Sequence, residues 1–241
     1  MSHKAVHESE LSKAAVLVVA TSCGAFEDGT PTGLWLSELA EPYYAFRAAG
    51  YDVTIASPRG GAVPLDPASL EGEAATPAAH RFLEDAEANA QLRSTVPLEG
   101  IQQPASYDCI FLPGGHGPMY DLAGDERLGR VLSEANAAGA CIAAVCHGPA
   151  GLLSARDASG RRPLLEGRRV AGFTAEEERA VGNDKQVPFL LDARLSEASA
   201  ALSPGPAWRP RVEVDGNLVT GQNPASALPV AEAALRAMGA R

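Results

Sequence analysis

The sequence contains no cluster of basic residues. Its 20 Lys and Arg are outnumbered by 30 Asp and Glu, which gives a net charge of −10 over 241 residues. Proteins that bind nucleic acid or an anionic membrane surface concentrate positive charge, so we expect neither as a partner. Long apolar runs are also absent, since none approaches the roughly 20 residues that a membrane span needs.

Cysteine is scarce, and the four cysteines are not spaced as pairs along the sequence. Cys23, Cys109, Cys141 and Cys146 form no C-x-x-C motif, so the sequence predicts neither a zinc site nor a disulfide framework. Two of them lie in apolar runs typical of strands, which suits a reducing compartment. Residues 1–10 are polar and acidic, unlike a secretory signal peptide. We therefore predict a cytoplasmic protein.

The pattern of apolar residues predicts an α/β fold. Residues 14–20 form a continuous apolar run, typical of a parallel strand buried on both faces. Apolar residues follow at helical spacing until Gly50, and residues 51–58 alternate like a second strand. Strand, helix and strand within about 45 residues form a βαβ unit, which requires a parallel sheet.

The rest of the chain extends this architecture. Further elements are predicted as strands at 107–113, 140–145 and 169–174, a helix opened by Thr174, a hairpin at 212–221 and a helix at about 225–238. Residues 59–106 differ, with many Pro, Ala and acidic residues, helical pieces near 79–93 and no strand pattern. They are an insertion over the sheet edge, a cap over the site or a mere surface excursion. We predict one domain over residues 1–241, a flavodoxin-like sandwich with a mostly parallel sheet and helices on both faces.

The most informative stretch is the apolar run that ends in Cys146-His147-Gly148. A buried strand that enters a tight turn and then a helix has this pattern, known as a nucleophile elbow. The turn would hold the thiol at the tip of the sheet, where the N–H groups and dipole of a helix favour thiolate. The alternative is a buried cysteine that packs as a small hydrophobe.

Other strand ends offer partners for this thiol. The turn Gly114-Gly115-His116-Gly117 follows a predicted strand, and its glycines let backbone N–H groups approach a ligand closely. The Gly115 amide could form an oxyanion hole with the His147 amide. Glu38, taken alone, is an ordinary solvated side chain, and residues 176–178 are most simply acids that complement a helix dipole.

Four spaced motifs together carry a resemblance. They are Ala144-Val145-Cys146-His147-Gly148-Pro149, Leu112-Pro113-Gly114-Gly115-His116-Gly117, Thr32-Gly33-Leu34-Trp35-Leu36-Ser37-Glu38 and Gly221-Gln222-Asn223-Pro224-Ala225-Ser226. Over residues 14 to 238 the chain resembles the ThiJ/PfpI superfamily, of the glutamine amidotransferase-like fold, and within it the heat-shock, glyoxalase III-like branch.

The resemblance implies roles for particular residues. It makes Cys146 the nucleophile and His147 its neighbouring base, and it places Glu38 against the cysteine. Glu178 matches the acid that orients the histidine, with Glu177 as the candidate if the register is off by one. It assigns Gly114, Gly115 and His116 to oxyanion or substrate binding, with no metal and no cofactor.

The resemblance also implies a reaction. Cys146 would add to a 2-oxoaldehyde such as methylglyoxal, and proton transfer and hydrolysis would then give a 2-hydroxy acid such as D-lactate. A deglycase or peptidase acting through the same residues, and a stress-related chaperone, stay open. The resemblance also implies a homodimer. Glu41 stands where many relatives have histidine, so substrate preference or rate can differ.

Overall fold

The computed structural model describes residues 14–239. The prediction made from residues 1–10 lies outside this range. The strands are β1 Ala15–Val19, β2 Asp52–Ser57, β3 Val96–Pro97, β4 Cys109–Leu112, β5 Cys141–Val145, β6 Arg169–Val170, β7 Ala201–Leu202, β8 Val212–Asp215 and β9 Leu218–Gly221. The α-helices are α1 Ser37–Ala48, α2 Pro77–Glu84, α3 Ala86–Arg93, α4 Pro118–Asp121, α5 Glu126–Ala137, α6 Ala175–Ala180, α7 Leu191–Glu197 and α8 Ala227–Gly239.

A seven-stranded sheet in the order β3-β2-β1-β4-β5-β9-β8 organises the protein. Its pairs are parallel except for the β8–β9 hairpin. Every residue of β4, β5 and β9 is buried, so both faces of the central sheet are covered. Helices α1 and α8 pack on each other, α8 also covers β5 and β9, and α5 packs against β4 and β5. The predicted α/β fold with a mostly parallel sheet is confirmed.

The strand order also indicates where a ligand binds. The chain adds β2 and β3 on one side of β1, and then β4, β5 and β9 on the other. In doubly wound sheets, ligands bind at the carboxyl ends of the strands where the order reverses. The residues after β1, β4 and β5 therefore meet at one edge, which brings the first three sequence motifs together.

Residues 59–106 differ from the prediction in one respect. Their helices α2 and α3 are confirmed, but Val96 and Pro97 form the short edge strand β3, where no strand was predicted. A two-residue strand that ends in proline leaves no alternating pattern to detect, and its position depends on pairing with β2. The segment thus extends the sheet edge. Strands β6 and β7 form a small second sheet. Of these two strands, only β6 was predicted.

Candidate active site

Cys146 occupies a strained turn directly after β5. Its φ of +59° lies in the left-handed region, which is uncommon for a residue with a side chain. Two backbone hydrogen bonds hold it there, because its N–H donates to Gly221 O at 3.0 Å and its carbonyl accepts from Phe173 N at 2.9 Å. The strain fixes the direction of the thiol at the carboxyl edge of the sheet, as in a nucleophile elbow.

The helix that follows the elbow is of a different type from an ordinary α-helix. Gly148–Ser154 form a 3₁₀ helix rather than an α-helix. Burial raises the pKa of the Cys146 thiol, the negative charge of an ionised Glu38 would raise it further, and the Gly115 N–H acts in the opposite direction. Desolvation therefore opposes the thiolate that the turn is expected to favour, whereas a protonated Glu38 would donate a hydrogen bond to the charged sulfur. The thiolate stays a prediction, and in the protonated state the sulfur has one proton to give.

His147 is placed to take that proton. Its Nδ1 lies 3.3 Å from Cys146 Sγ, and its Nε2 lies 2.7 Å from Glu178 Oε2. Burial and the neighbouring His116 lower the pKa of His147, the hydrogen bond to Glu178 opposes them, and the resulting pKa is about 4. The ring is therefore neutral at pH 7. With its proton on Nε2, it presents an unprotonated Nδ1 to the thiol, the arrangement of a general base and its orienting acid.

Glu178 binds a second histidine. Its Oε1 lies 2.7 Å from His116 Nε2, so one buried carboxylate bridges two imidazoles whose ring centroids are 4.3 Å apart. Burial by itself raises the pKa of Glu178, but the hydrogen bonds from His116 and His147 outweigh it and lower the pKa to about 2. The carboxylate is ionised and can only accept, so both Nε2 atoms carry hydrogen.

These three side chains are also the group in residues 14–239 that could hold a metal ion. One potential ligand atom from each lies within 4.8 Å of the others, a cluster that the sequence analysis did not identify. The Nε2 atoms of both histidines and the two oxygens of Glu178 are engaged in 2.7 Å hydrogen bonds. A metal bound through the two Nε2 atoms would replace their protons, and it would remove the tautomer that leaves an unprotonated Nδ1 of His147 facing the thiol.

Glu38 lies on the other side of the cysteine, in the first turn of α1. It is fully buried, and its Oε2 accepts the Gly114 N–H at 2.8 Å. Among residues 14–239 its Oε1 has no hydrogen-bond partner, although the carboxyl interacts with the Cys146 thiol. Burial raises the pKa of Glu38 to about 8. It is a carboxylic acid at neutral pH, and its proton is available to the sulfur or to a substrate oxygen.

The glycines of the turn after β4 permit this close packing. A Cβ on Gly114 would lie 2.6 Å from Glu38 Oε2 and 2.7 Å from the backbone nitrogen of His147. Gly115 has φ +87°, and a Cβ there would meet the backbone of residues 33–35 within 3 Å. The first glycine lets the carboxyl approach the elbow, and the second directs its N–H at Cys146.

A cavity of about 70 Å³ opens onto the thiol. Its walls are formed by Trp35, Gly115, His116, Cys146, His147, Phe173, Val181, Trp208 and Pro224. The Phe173 ring packs on His147 at 4.4 Å between centroids, and Trp208 packs on Phe173 at 5.8 Å. A larger cavity of about 550 Å³ adjoins it through shared residues and contains Glu41. The aromatic walls were not among the predicted site residues, because only their position in space identifies them.

The two acids at the start of α6 have separate roles. Thr174 and Glu177 form a capping box, and the Glu177 carboxylate accepts from Trp208 N at 2.8 Å and Asn223 Nδ2 at 2.8 Å. Glu177 thus holds the walls of the cavity in place. Glu178, one residue on, faces the histidines. The structure brings Cys146, His147 and both predicted catalytic carboxyls together, and it places His116 against Glu178.

Comparisons with known proteins find one matching family. The DJ-1/PfpI family profile matches residues 32–237. The glutathione-independent glyoxalase HSP31 of Saccharomyces cerevisiae is 31% identical over 84% of this chain and 87% of its own. The glutathione-independent glyoxalase hsp3101 of Schizosaccharomyces pombe is 32% identical over 93% of this chain and 96% of its own.

Solved structures show the same relationship. The crystal structure of glyoxalase III from Candida albicans superimposes with a TM-score of 0.85 at 28% identity, covering 93% of this chain and 97% of its own. The Francisella tularensis rapid encystment protein superimposes with a TM-score of 0.88 at 33% identity, over 93% of this chain and 99% of its own.

Proposed function

The chain belongs to the DJ-1/PfpI family, and on that premise we propose that it is a glutathione-independent glyoxalase. Its substrates would be small 2-oxoaldehydes such as methylglyoxal, and its products 2-hydroxy acids such as D-lactate. The observation that carries the proposal is a thiol between a neutral base and a protonated acid. His147 Nδ1 lies 3.3 Å from the sulfur, and burial keeps the pKa of Glu38 at about 8. The cavity of about 70 Å³ suits a two- or three-carbon substrate.

The first step is addition of the thiol. Cys146 Sγ bonds to the aldehyde carbon while its proton passes to His147 Nδ1, and Glu38 gives its proton to the aldehyde oxygen. The product is a hemithioacetal. The N–H groups of Gly115 and His147 would stabilise negative charge that develops on that oxygen.

The second step moves hydrogen between the two carbons. The Glu38 carboxylate removes the hydrogen of the hemithioacetal carbon as a proton, while His147 protonates the neighbouring carbonyl oxygen. Glu38 then delivers its proton to the second carbon, and His147 takes the proton of the first hydroxyl. The enediol becomes a 2-hydroxy thioester: the first carbon is oxidised by two electrons and the second carbon is reduced by two, so no external oxidant or reductant is needed. Hydrolysis of the thioester releases the acid and restores the thiol.

A glutathione-free assay tests the proposal. Methylglyoxal consumption and lactate formation are followed together, with lactate resolved by chirality. Cys146→Ala should reduce turnover to background, because the proposed hemithioacetal forms on this thiol. Cys141→Ala is the matched control, since Cys141 is a buried thiol at the start of the same strand and should keep full turnover. Unchanged activity in Cys146→Ala would contradict the assignment.

Two further parts of the proposal concern the whole molecule. We propose that residues 59–106 belong to the same domain as the sheet and form one wall of the approach to the site, because Glu73, Ala74 and Thr76 line the 550 Å³ cavity. We keep the predicted homodimer, which sedimentation analysis tests. No helix in residues 14–239 meets the length and apolarity of a membrane span. The unpaired thiols of Cys23, Cys141 and Cys146 support a reducing compartment such as the cytoplasm.

A further inference from the structure

We infer that His116 is a second base of the reaction, which activates the water that hydrolyses the thioester on Cys146. This inference rests on the proposed glyoxalase function and assigns a step within it. His116 comes from the turn after β4, whereas His147 comes from the elbow after β5, so the two imidazoles reach the site from neighbouring strands.

The tautomer of His116 follows from its partner. Its Nε2 lies 2.7 Å from Oε1 of Glu178, a carboxylate that is ionised and can only accept. The hydrogen of a neutral His116 ring is therefore on Nε2, and Nδ1 is an unprotonated acceptor. Glu178 imposes this same tautomer on both rings.

The two Nδ1 atoms differ in what they contact. That of His147 faces Cys146 Sγ at 3.3 Å. That of His116 is buried and has no hydrogen-bond partner among residues 14–239, although buried polar atoms are nearly always satisfied. His116 lines the same 70 Å³ cavity as the thiol. The proposal requires that a molecule with an O–H group reaches this nitrogen from the cavity and satisfies it.

The chemistry of hydrolysis needs such a nitrogen. Once the thioester has formed, His147 carries a proton, and it lies against the sulfur that must leave. It is placed to return that proton to sulfur. A different base takes the proton of the attacking water, and His116, whose Nδ1 has no hydrogen-bond partner among residues 14–239, lines the cavity. The Glu38 carboxylate is the other unprotonated group at this stage, and wild-type thioester hydrolysis in His116→Gln would assign the step to it. The Glu178 carboxylate then stabilises the His116 imidazolium as it does that of His147.

The step balances in atoms and charge. Water oxygen bonds to the thioester carbon as its proton passes to His116 Nδ1, which gives a tetrahedral intermediate. Collapse breaks the carbon–sulfur bond, and the sulfur takes the proton held by His147. The 2-hydroxy acid leaves, and His116 returns its proton to the Glu38 carboxylate, which restores the starting acid. No oxidant, reductant or further reactant is needed.

Two substitutions separate the two nitrogens of His116. Glutamine places its amide N–H near the position of Nε2, so His116→Gln keeps a donor for Glu178 and loses the base. Asparagine reaches only as far as Nδ1, so His116→Asn keeps an acceptor there and loses the contact with Glu178. His80→Gln is the matched control, because His80 is exposed on α2.

Rapid-quench mass spectrometry with methylglyoxal measures the covalent adduct on Cys146. In His116→Gln we expect adduct to form at the wild-type rate, steady-state turnover to fall about 10²-fold, as for loss of a general base, and adduct to accumulate. Hydroxylamine should release the accumulated adduct as lactohydroxamate, which identifies it as thioester rather than hemithioacetal. His80→Gln should behave as wild type.

Several outcomes overturn the inference. One is wild-type turnover in His116→Gln without accumulated thioester, and another is slow adduct formation with no thioester, which would assign His116 to the first step. Nitrogen NMR of histidine-labelled wild-type enzyme needs no variant, and a hydrogen on Nδ1 of His116 at neutral pH would also exclude this role. Absence of lactate from the wild-type enzyme would instead contradict the proposed function itself, so the two failures are distinguishable.

Discussion

The two glutamates that flank Cys146, Glu38 and Glu178, differ in charge state although both are buried. Glu38 and Glu178 are both almost completely buried, at 0% and 1% exposure. Burial alone raises the pKa of either carboxyl. Yet the pKa of Glu38 is about 8, whereas that of Glu178 is about 2. One side of the thiol holds an acid and the other holds an anion.

The difference comes from the number of N–H donors on each side. Glu38 accepts one backbone N–H, from Gly114, and its other oxygen accepts no N–H from the part of the chain that the structure describes. Glu178 accepts the Nε2–H of His116 on one oxygen and that of His147 on the other. Only at Glu178 do hydrogen bonds to the ionised carboxylate outweigh the cost of its desolvation. Donor count therefore sets which carboxyl can transfer a proton and which can only orient a base.

The largest expected effect comes from removing the anion. In Glu178→Gln an amide replaces two acceptors with one acceptor and one donor, so one of the two imidazoles must move its hydrogen from Nε2 to Nδ1. We expect turnover to fall about 10³–10⁴-fold, as when the orienting acid of a catalytic triad becomes an amide. Steady-state kinetics with methylglyoxal measures this loss.

Glu176→Gln is the matched control for that variant. Glu176 lies in the same turn of α6 but is exposed, so its amide should leave turnover unchanged. A Glu178→Gln enzyme that keeps more than a tenth of wild-type turnover would show that the anion is not needed to hold the two rings.

The second effect comes from removing the proton on the other side. In Glu38→Gln the amide can still accept the Gly114 N–H and donate to the sulfur, so the geometry is kept while proton transfer is lost. We expect turnover to fall about 10²–10³-fold. Hemithioacetal formation should survive better than lactate formation, because only the second needs Glu38 to carry a proton between carbons. Equal loss of both steps would assign Glu38 to the addition alone.

The third effect concerns stability. The contributions of Glu38 and Glu178 to the free energy of unfolding should change with pH in opposite directions. Glu38 binds its proton more tightly in the folded protein, so its contribution is complete below pH 4.5 and is lost as the pH rises to about 8. Glu178 behaves in the reverse way, with a contribution present above pH 4.5 and lost as the pH falls through about 2.

Urea unfolding across pH measures these contributions. Because Glu38→Gln removes the cost of a buried ionisable acid, it should be more stable than wild type at pH 8 by on the order of 2–4 kcal/mol, and little different at pH 4.5. Glu178→Gln should be less stable at pH 7 by about 1–3 kcal/mol. Parallel pH curves for wild type and Glu38→Gln would contradict the raised pKa of Glu38.

The sequence predicted the parts of this arrangement that depend on local pattern. The βαβ unit, the Asp215-Gly216 hairpin and the Thr174 cap are each encoded within a few residues, and all are present. The 3₁₀ helix after Cys146 was not predicted, because the small and apolar residues 148–154 fit either helix type. Local sequence favours a helix without fixing its pitch.

The sequence could not predict contacts between distant segments. His116 and Glu178 are separated by 62 positions, and their pairing depends on the turn after β4 and helix α6 meeting above the same strand ends. The resemblance proposed Glu178 beside His147 but left His116 as a ligand-binding residue. The charge states of the two carboxyls depend on burial and on N–H donors from other strands, which no motif contains.

The smallest expected effect concerns the pKa of Glu38 and how strongly a neighbouring charge changes it. Turnover needs neutral His147 and protonated Glu38, so kcat/KM of the wild type should decline below about pH 4 and above about pH 8. The charge of Glu41 is the weakest of the influences on Glu38, and it raises the Glu38 pKa.

Substitution of Glu41 should therefore move only the basic limb of the pH profile. Glu41→Gln removes the negative charge and should shift that limb to lower pH, with less than about a threefold change in turnover at pH 7. Glu41→His, which can add a positive charge, should shift it in the same direction by at least as much. The acid limb, which His147 sets, should stay in place in both variants. A basic limb that does not move would mean that Glu41 acts only through the shape of the neighbouring cavity, and a shift in substrate preference between methylglyoxal and glyoxal would then accompany the substitution.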